Sequence, residues 1–365
     1  MNYIDDNNYN NDNYSRVRLF LYGIIIAVLF LIGIFLMCTG FHLPDLFSFR
    51  SCQGNGSEEP DFDSDFSGLY NQDVIVADLS KDDIEKLLVP LPGGVRISNV
   101  HIENDPLNKS FSVRFPRGGK NYDFSSVVNN SSAVHEIEYV IKDNLVTINV
   151  KLKILADYEF CIDNSMLYVK FISPRDKYPV IVVIDAGHGG NDVGAVETGI
   201  YEKDIDLAIC NRLKYYLDRE TFKTYYTRTD DSYPTVEERV NFVNELKPDL
   251  FISVHSNWFE NDTVSGTSVL YNKRDTNPYG SQWLAGILAK SVSDSAGIGN
   301  RGAVIGNEIH IVRTSKVPVA LIETGFMSNP SDLSILSTES GQNRIAEGIH
   351  KGIVQALSEM GKYSS

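Results

Sequence analysis

Four residues have the types and the setting to do chemistry: His188, Glu202, His255 and Glu323. His188 sits in Asp185-Ala186-Gly187-His188-Gly189-Gly190, where glycines let the backbone turn sharply after an apolar run. His255 sits in Ser253-Val254-His255-Ser256-Asn257, directly after a second apolar run. Two histidines and one carboxylate, with an open fourth position, make a common catalytic zinc site. Glu202 is the expected third ligand, because Tyr201-Glu202-Lys203-Asp204 closes the loop from His188 and opens the next helix. Glu323 is then left to act as general base, taking a proton from a water whose pKa zinc lowers while the metal polarises a scissile carbonyl. Asn257 is assigned to substrate contact, and Asp185 to support behind the metal ligands.

Each residue also has a plainer explanation. His188 alone could be a turn residue, and His255 a satisfied histidine at a strand end. Glu202 alone is an acid favoured at a helix start by the macrodipole. Glu323 resists such a reading: an acid closing the run Val319-Ala320-Leu321-Ile322 has to be paired, protonated or ligated. Of the other histidines, His42, His101 and His135 lie outside this region and His350 falls on a late helix. His310, between Ile309 and Ile311, is read as structural, with a place on the cleft wall as the lesser alternative.

The elements that must position these groups alternate along residues 178–362. Val180 to Ile184 is a continuous apolar run, as in a strand buried on both faces. Ile205, Ile209, Leu213 and Tyr216 follow helical spacing, and Thr224 to Thr227 suits another strand. Thr235 and Glu238 form a capping box ahead of Val236, Val240 and Val243. Leu250 to Val254 and Val317 to Ile322 are further strands. Helices follow around Trp283, Ile287 and Leu288, and around Ile345, Ile349, Ile353 and Leu357. The pattern predicts an α/β, three-layer catalytic domain with a mostly parallel central sheet. Ligands of such sheets bind beyond the carboxyl ends of the strands, where the four residues fall.

Residues 73–175 read differently, as a small all-β domain. Val146, Ile148, Val150, Leu152 and Ile154 alternate with polar residues at the period of two that a half-buried strand requires. Ile137, Tyr139 and Ile141 alternate before them, with turn chemistry at Lys142-Asp143-Asn144; a second break at Asp163-Asn164 leads into Leu167, Val169 and Phe171. Ahead of this domain, 39–72 is an acidic linker in which Glu58, Glu59, Asp61, Asp63 and Asp65 stand beside Gly54, Gly56 and Pro60.

Leu19 to Cys38 runs about 20 residues without a charge, enough to cross a bilayer core of about 30 Å as a helix. Arg16 and Arg18 precede it, so the charge bias leaves the 1–18 tail in the cytoplasm and the rest outside. The expectation is a single-pass anchor at 19–38 in the cytoplasmic membrane, with secretion after signal cleavage as the alternative. At 365 residues the chain can hold two folded domains, and a formal net charge of −15 disfavours nucleic acid as a partner. Cys38, Cys52, Cys161 and Cys210 lack the spacing of a cysteine metal site.

These motifs resemble the zinc-dependent N-acetylmuramoyl-L-alanine amidases of the type-3 family. The resemblance runs from about Val180 to Leu357. It rests on Ile184-Asp185-Ala186-Gly187-His188-Gly189-Gly190, Glu202-Lys203-Asp204, Glu238-Arg239-Val240, Ser253-Val254-His255-Ser256-Asn257 and Glu323-Thr324-Gly325-Phe326-Met327-Ser328-Asn329. Ala186 replaces a frequent proline. The resemblance implies zinc held by His188, Glu202 and His255, with Glu323 as the essential carboxylate. It also implies peptidoglycan as substrate, cut between the lactyl group of N-acetylmuramic acid and the L-alanine of the stem peptide. Some members carry a helical insertion that plugs the site; the short intervals from Asn257 to Trp283 and on to Ile309 leave little room for one. The β domain is faintly similar to the wall-targeting AMIN domain, which would allow contact with wall or with division or envelope proteins. The rival readings are a zinc peptidase that trims stem peptides and a non-catalytic wall-binding scaffold.

Overall fold

In this computed structural model the described residues are 85–118 and 122–364. The tail at 1–18, the span at 19–38 and the linker at 39–72 lie outside them. Among the described residues no helix is long and apolar enough to cross a membrane.

The β domain is a sandwich of two four-stranded antiparallel sheets. Its strands are β1 (Leu87–Pro90), β2 (His101–Asp105), β3 (Ser110–Pro116), β4 (Val128–Asn129), β5 (Val134–Lys142), β6 (Leu145–Leu152), β7 (Asp157–Asp163) and β8 (Met166–Ile172). The sheet orders are β4-β1-β8-β7 and β2-β3-β6-β5. Inward residues alternate as the sequence predicts: Val146, Ile148, Val150 and Leu152 of β6 pack with Phe111, Val113 and Phe115 against Leu87, Val89, Leu167 and Val169. Both predicted turns are present, with Asp143 and Asn144 at φ 52° and 61° and Asn164 and Ser165 at φ 48° and 60°. Successive left-handed residues give the twist that a two-residue hairpin needs. Two expectations are corrected. Ile154 lies beyond the end of β6 and is exposed. Tyr139 and Ile141 are also exposed although they stand opposite Ile148 and Val146, because β5 is an edge strand.

A short helix, α1 (Pro174–Lys177), leads into the α/β domain. Its strands are β9 (Ile181–Ala186), the small hairpin β10 (Val196–Glu197) and β11 (Ile200–Tyr201), then β12 (Lys223–Tyr226), β13 (Leu250–Asn257), β14 (Thr267–Tyr271), β15 (Asn300–Ile305) and β16 (Val319–Phe326). Its helices are α2 (Glu202–Leu217), α3 (Val236–Leu246), α4 (Ser281–Ala296), α5 (His310–Thr314), α6 (Pro330–Leu336) and α7 (Glu339–Glu359). The six-stranded sheet has the order β12-β9-β13-β16-β14-β15 and is parallel except where β14 meets β16. Alternate residues of its apolar strands serve two cores. Val182, Ile184, Ile252, Val254, Ala320 and Ile322 face α2, α4 and α7. Ile181, Val183, Phe251, Val319 and Leu321 face α3 and α5. That double burial is why these strands read as unbroken apolar runs.

The three layers and the mostly parallel sheet agree with the sequence. Strands β14 and β15 are additional to those the sequence predicts: β15 is an exposed edge strand, without the apolar run of the buried strands. The predicted ends of β13 and β16 also fall short, since each strand continues far enough to carry His255 and Glu323 within it.

The boundary between the two domains is a built contact. Leu155, just after the β6 end, is buried in the core that includes Ile181, Val183 and Tyr225. Asp157 accepts from Tyr225 Oη at 2.8 Å, and Lys177 Nζ lies 3.1 Å from its other oxygen, with both charged side chains buried. Burial would raise the Asp157 pKa, but Lys177, Lys223 and the bond from Tyr225 hold it below the ordinary carboxylate range. A depressed folded-state pKa adds stability above the ordinary carboxylate pKa, and that stability is lost as the pH falls. Asp157→Ala strands the Lys177 charge in the interior. Urea unfolding is expected to show a loss of about 3–5 kcal/mol at neutral pH; an unchanged midpoint would show that the pair holds nothing together.

Candidate active site

The site lies at the carboxyl end of the parallel strands. Side chains of β13 and β16 reach it in register, His255 opposite Glu323. His188 follows the end of β9 at φ 57°, a left-handed backbone that a non-glycine residue adopts only when its surroundings enforce it. Two buried arginines supply that enforcement. Arg228, just beyond β12, donates from Nε to Ala186 O at 3.0 Å, and from Nη2 to Gly187 O and to Lys203 O. Arg239 of α3 donates from Nη1 to Ala186 O and Asp185 Oδ1, and from Nη2 to His188 O at 2.6 Å. The inward carbonyls of the turn are therefore all met by fixed planar donors, which a lysine could not reproduce.

Asp185 lies at the end of β9 behind the His188 turn and bears on that turn through Arg239. Its oxygens accept from Arg239, from Thr227 Oγ1 at 2.6 Å and from Ser253 Oγ at 2.6 Å. Burial pushes its pKa upward, yet Arg239 and the two hydroxyls keep the carboxylate ionised below its ordinary value.

Glu202 opens α2 and receives both histidines. His188 Nε2 lies 3.1 Å and His255 Nδ1 3.2 Å from its Oε1. The backbone N–H groups of Ser256 and Ala195 donate to its two oxygens at 3.2 and 2.8 Å. Although burial opposes the charge, bonds from His188 and His255 hold its pKa well below the carboxylate range. His188 is lowered by burial and raised more by Glu202 and by Asp192, whose Oδ2 stands 3.0 Å from Nδ1.

Asp206, which sequence reasoning missed, completes the cluster. Donor atoms of His188, Glu202, Asp206 and His255 all lie within 4.8 Å of one another. A signal was present: Asp206 follows Glu202 by four residues, one turn along the same helix face. It is fully buried, with Ser256 Oγ donating to Oδ1 at 3.0 Å, while Oδ2 has no partner. Burial, then the charges of Glu202 and Glu323, push its pKa well above the ordinary value. Glu323 is raised to about 7, first by burial and further by Glu202, against the lowering effect of the histidines; its Oε2 too is buried without a partner.

The residues present fit a metal ion. Two carboxylate oxygens are buried and orphaned, an arrangement that costs free energy unless a cation or proton meets it. The donor spacings of 3.1 and 3.2 Å match the roughly 3.3 Å edge of a tetrahedron with bonds of about 2.0 Å. Two glycines keep the cradle open. A Cβ on Gly187 would lie within 2.8 Å of His255 and Asp206 Oδ2, and one on Gly194 within 2.8 Å of Glu202 and His188.

Of the other predicted residues, Asn257 ends β13, where its side-chain oxygen accepts from Trp258 N at 2.8 Å. His310 departs from the structural role expected of it. Ile311 turns into the core, whereas His310 is exposed and lines a small cavity of about 140 Å³ with His188, His255, Tyr233 and Ile309. Between Asn257 and Ser281 the described chain forms β14 and turns but no helix.

Residues 182–355 match the family model described as N-acetylmuramoyl-L-alanine amidase. An uncharacterised protein of Bacillus subtilis, YqiI, is 37% identical over 172 residues, a match covering 47% of this chain and 82% of that protein. The germination-specific N-acetylmuramoyl-L-alanine amidase of the same organism is 30% identical over 196 residues, covering 50% of this chain and 81% of that one. The B. subtilis amidase LytC is also 30% identical, but the matched part covers only 36% of its length.

The clamp on the His188 turn makes a test. Arg239→Lys keeps a charge but cannot serve Asp185, Ala186 O and His188 O together. Chelator competition is expected to show metal affinity reduced about 10- to 100-fold, as for other supports of a metal ligand. Unaltered affinity would show that Arg239 does not position the His188 turn for metal.

Proposed function

The chain belongs to the N-acetylmuramoyl-L-alanine amidase family, and from that premise we propose that it is a zinc-dependent enzyme. It hydrolyses the amide between the lactyl group of N-acetylmuramic acid and the L-alanine of peptidoglycan stem peptides. One observation carries the reading. Two histidines converge on Glu202, and a protonatable, unpartnered carboxylate, Glu323, stands beside His255 on the neighbouring strand.

His188, Glu202 and His255 would hold the zinc. When bound, zinc supplies a lowered water pKa and a Lewis acid for the scissile carbonyl. Glu323 takes the proton from the attacking water and returns it to the departing alanine nitrogen, which a carboxyl raised toward neutrality is suited to do. Asp206 buttresses the cluster through Ser256, and Asn257 is assigned to substrate contact. The site carries no covering helix among the described residues, so activity is expected without an activator. Placement of the enzyme at the wall is assigned to the 19–38 anchor and the β sandwich, with roles in remodelling, daughter-cell separation or recycling.

Digestion of purified wall tests this reading by product mass. The enzyme is expected to release intact stem peptides beginning with alanine; shortened peptides would identify a peptidase instead. Glu323→Gln is expected to lower kcat at least 100-fold while zinc content stays the same, since general-base catalysis contributes about 10²–10⁴. Wild-type activity in that variant would refute the role. For the intact enzyme, Glu323 must be ionised to act as base. Its raised pKa puts the acid limb of kcat/KM at about pH 7, and the charge of a bound cation would move it lower. An acid limb well above pH 7 would exclude Glu323 as the group that titrates.

A further inference from the structure

Just beyond the carboxyl end of β13, the strand that carries His255, two exposed aromatic residues stand that the hydrolytic machinery does not use. Trp258 follows the metal-site residue His255 by three positions and is 44% exposed; Phe259 beside it is 53% exposed. Exposed apolar side chains are ordinary by themselves; Trp258 differs in being fixed next to the segments that carry His255 and Glu202.

The Trp258 indole is also held in place. Its Nε1 donates to Glu197 Oε2 at 3.1 Å, and its backbone N–H to Asn257 Oδ1 at 2.8 Å. The next N–H, of Phe259, donates to Ser328 Oγ at 3.1 Å. Glu197 belongs to the β10–β11 hairpin, which runs directly into Glu202: Val196 pairs with Tyr201, and Glu202 N donates to Ala195 O at 2.9 Å. The indole therefore bridges the segments that carry His255 and Glu202, with its Nε1–H satisfied and nearly half of the residue exposed.

We propose that Trp258 is a sugar-stacking residue that holds the glycan strand of the substrate beside the scissile amide. At about 3.3 Å per extended residue it lies about 10 Å along the chain from His255, the length of one or two sugar units. A flat apolar ring face with its N–H already engaged suits the apolar face of a pyranose. The neighbouring Glu197 and the overall negative charge disfavour an anionic polymer at the same place. Fixing the indole in advance means that little side-chain freedom is lost on binding. The consequence is selectivity for glycan chains over single muramoyl-peptides.

This assignment rests on the amidase reading, but its test does not depend on hydrolysis. Peptide-free glycan strands contain no scissile amide, and their binding to the full chain is measured by titration calorimetry. Trp258→Ala is expected to weaken that binding about tenfold, as loss of one aromatic contact does, while Trp258→Phe keeps most of it. With wall substrate, Trp258→Ala raises KM on long strands by a similar factor, a larger rise than on a single muramoyl-peptide. Equal glycan binding by wild type and Trp258→Ala would overturn the proposal. So would a kcat loss of equal size on both substrates, which would make the bridge to Glu197 a support for the hairpin alone. Failure of the wild type to release alanine-ended peptides would count against the amidase reading and leave the binding comparison standing.

Discussion

The guanidinium groups of Arg228 and Arg239 hold the carbonyl oxygens of Ala186, Gly187 and His188, and the placement of His188 depends on that clamp. A left-handed histidine between glycines would not keep one direction unaided. Asp185 fixes Arg239 in turn, and Thr227 and Ser253 fix Asp185. This ionic network is buried, and breaking one member leaves the others uncompensated. The His188 turn is thereby tied to β9, to β13 and to the residues just beyond β12 at once.

Charge sets the second condition. Glu202, Asp206 and Glu323 crowd one buried space with two histidines, and the low pKa of Glu202 coexists with raised values for the other two. Such separation of pKa values among neighbouring carboxylates is how one site holds both an ionised carboxylate and a proton-carrying acid.

Much of this was legible in the sequence. Unbroken apolar runs located the buried strands, and the residues following or closing them, His188, His255 and Glu323, proved to share one site. The capping box at Thr235 and Glu238 is formed as read, with each partner accepting from the other's backbone N–H. Less legible was whatever depends on partners distant in sequence. Asp206 looked like any acid on a helix until the fold placed it beside Gly187. The edge strand β15 had no buried face to pattern it. His310 was read from its apolar neighbours, but the start of α5 turns it outward while Ile311 goes in. The Asp157–Lys177 pair, which joins the two domains, spans what looked like a simple boundary.

Zinc K-edge X-ray absorption on the purified, metal-loaded enzyme tests the central claim most directly. A four-coordinate ion is expected, with two imidazole nitrogens at about 2.0–2.1 Å, carboxylate or water oxygens completing the shell, and no sulfur. A sulfur shell at about 2.3 Å, or a spectrum unchanged in a His188→Ala, His255→Ala variant, would contradict it.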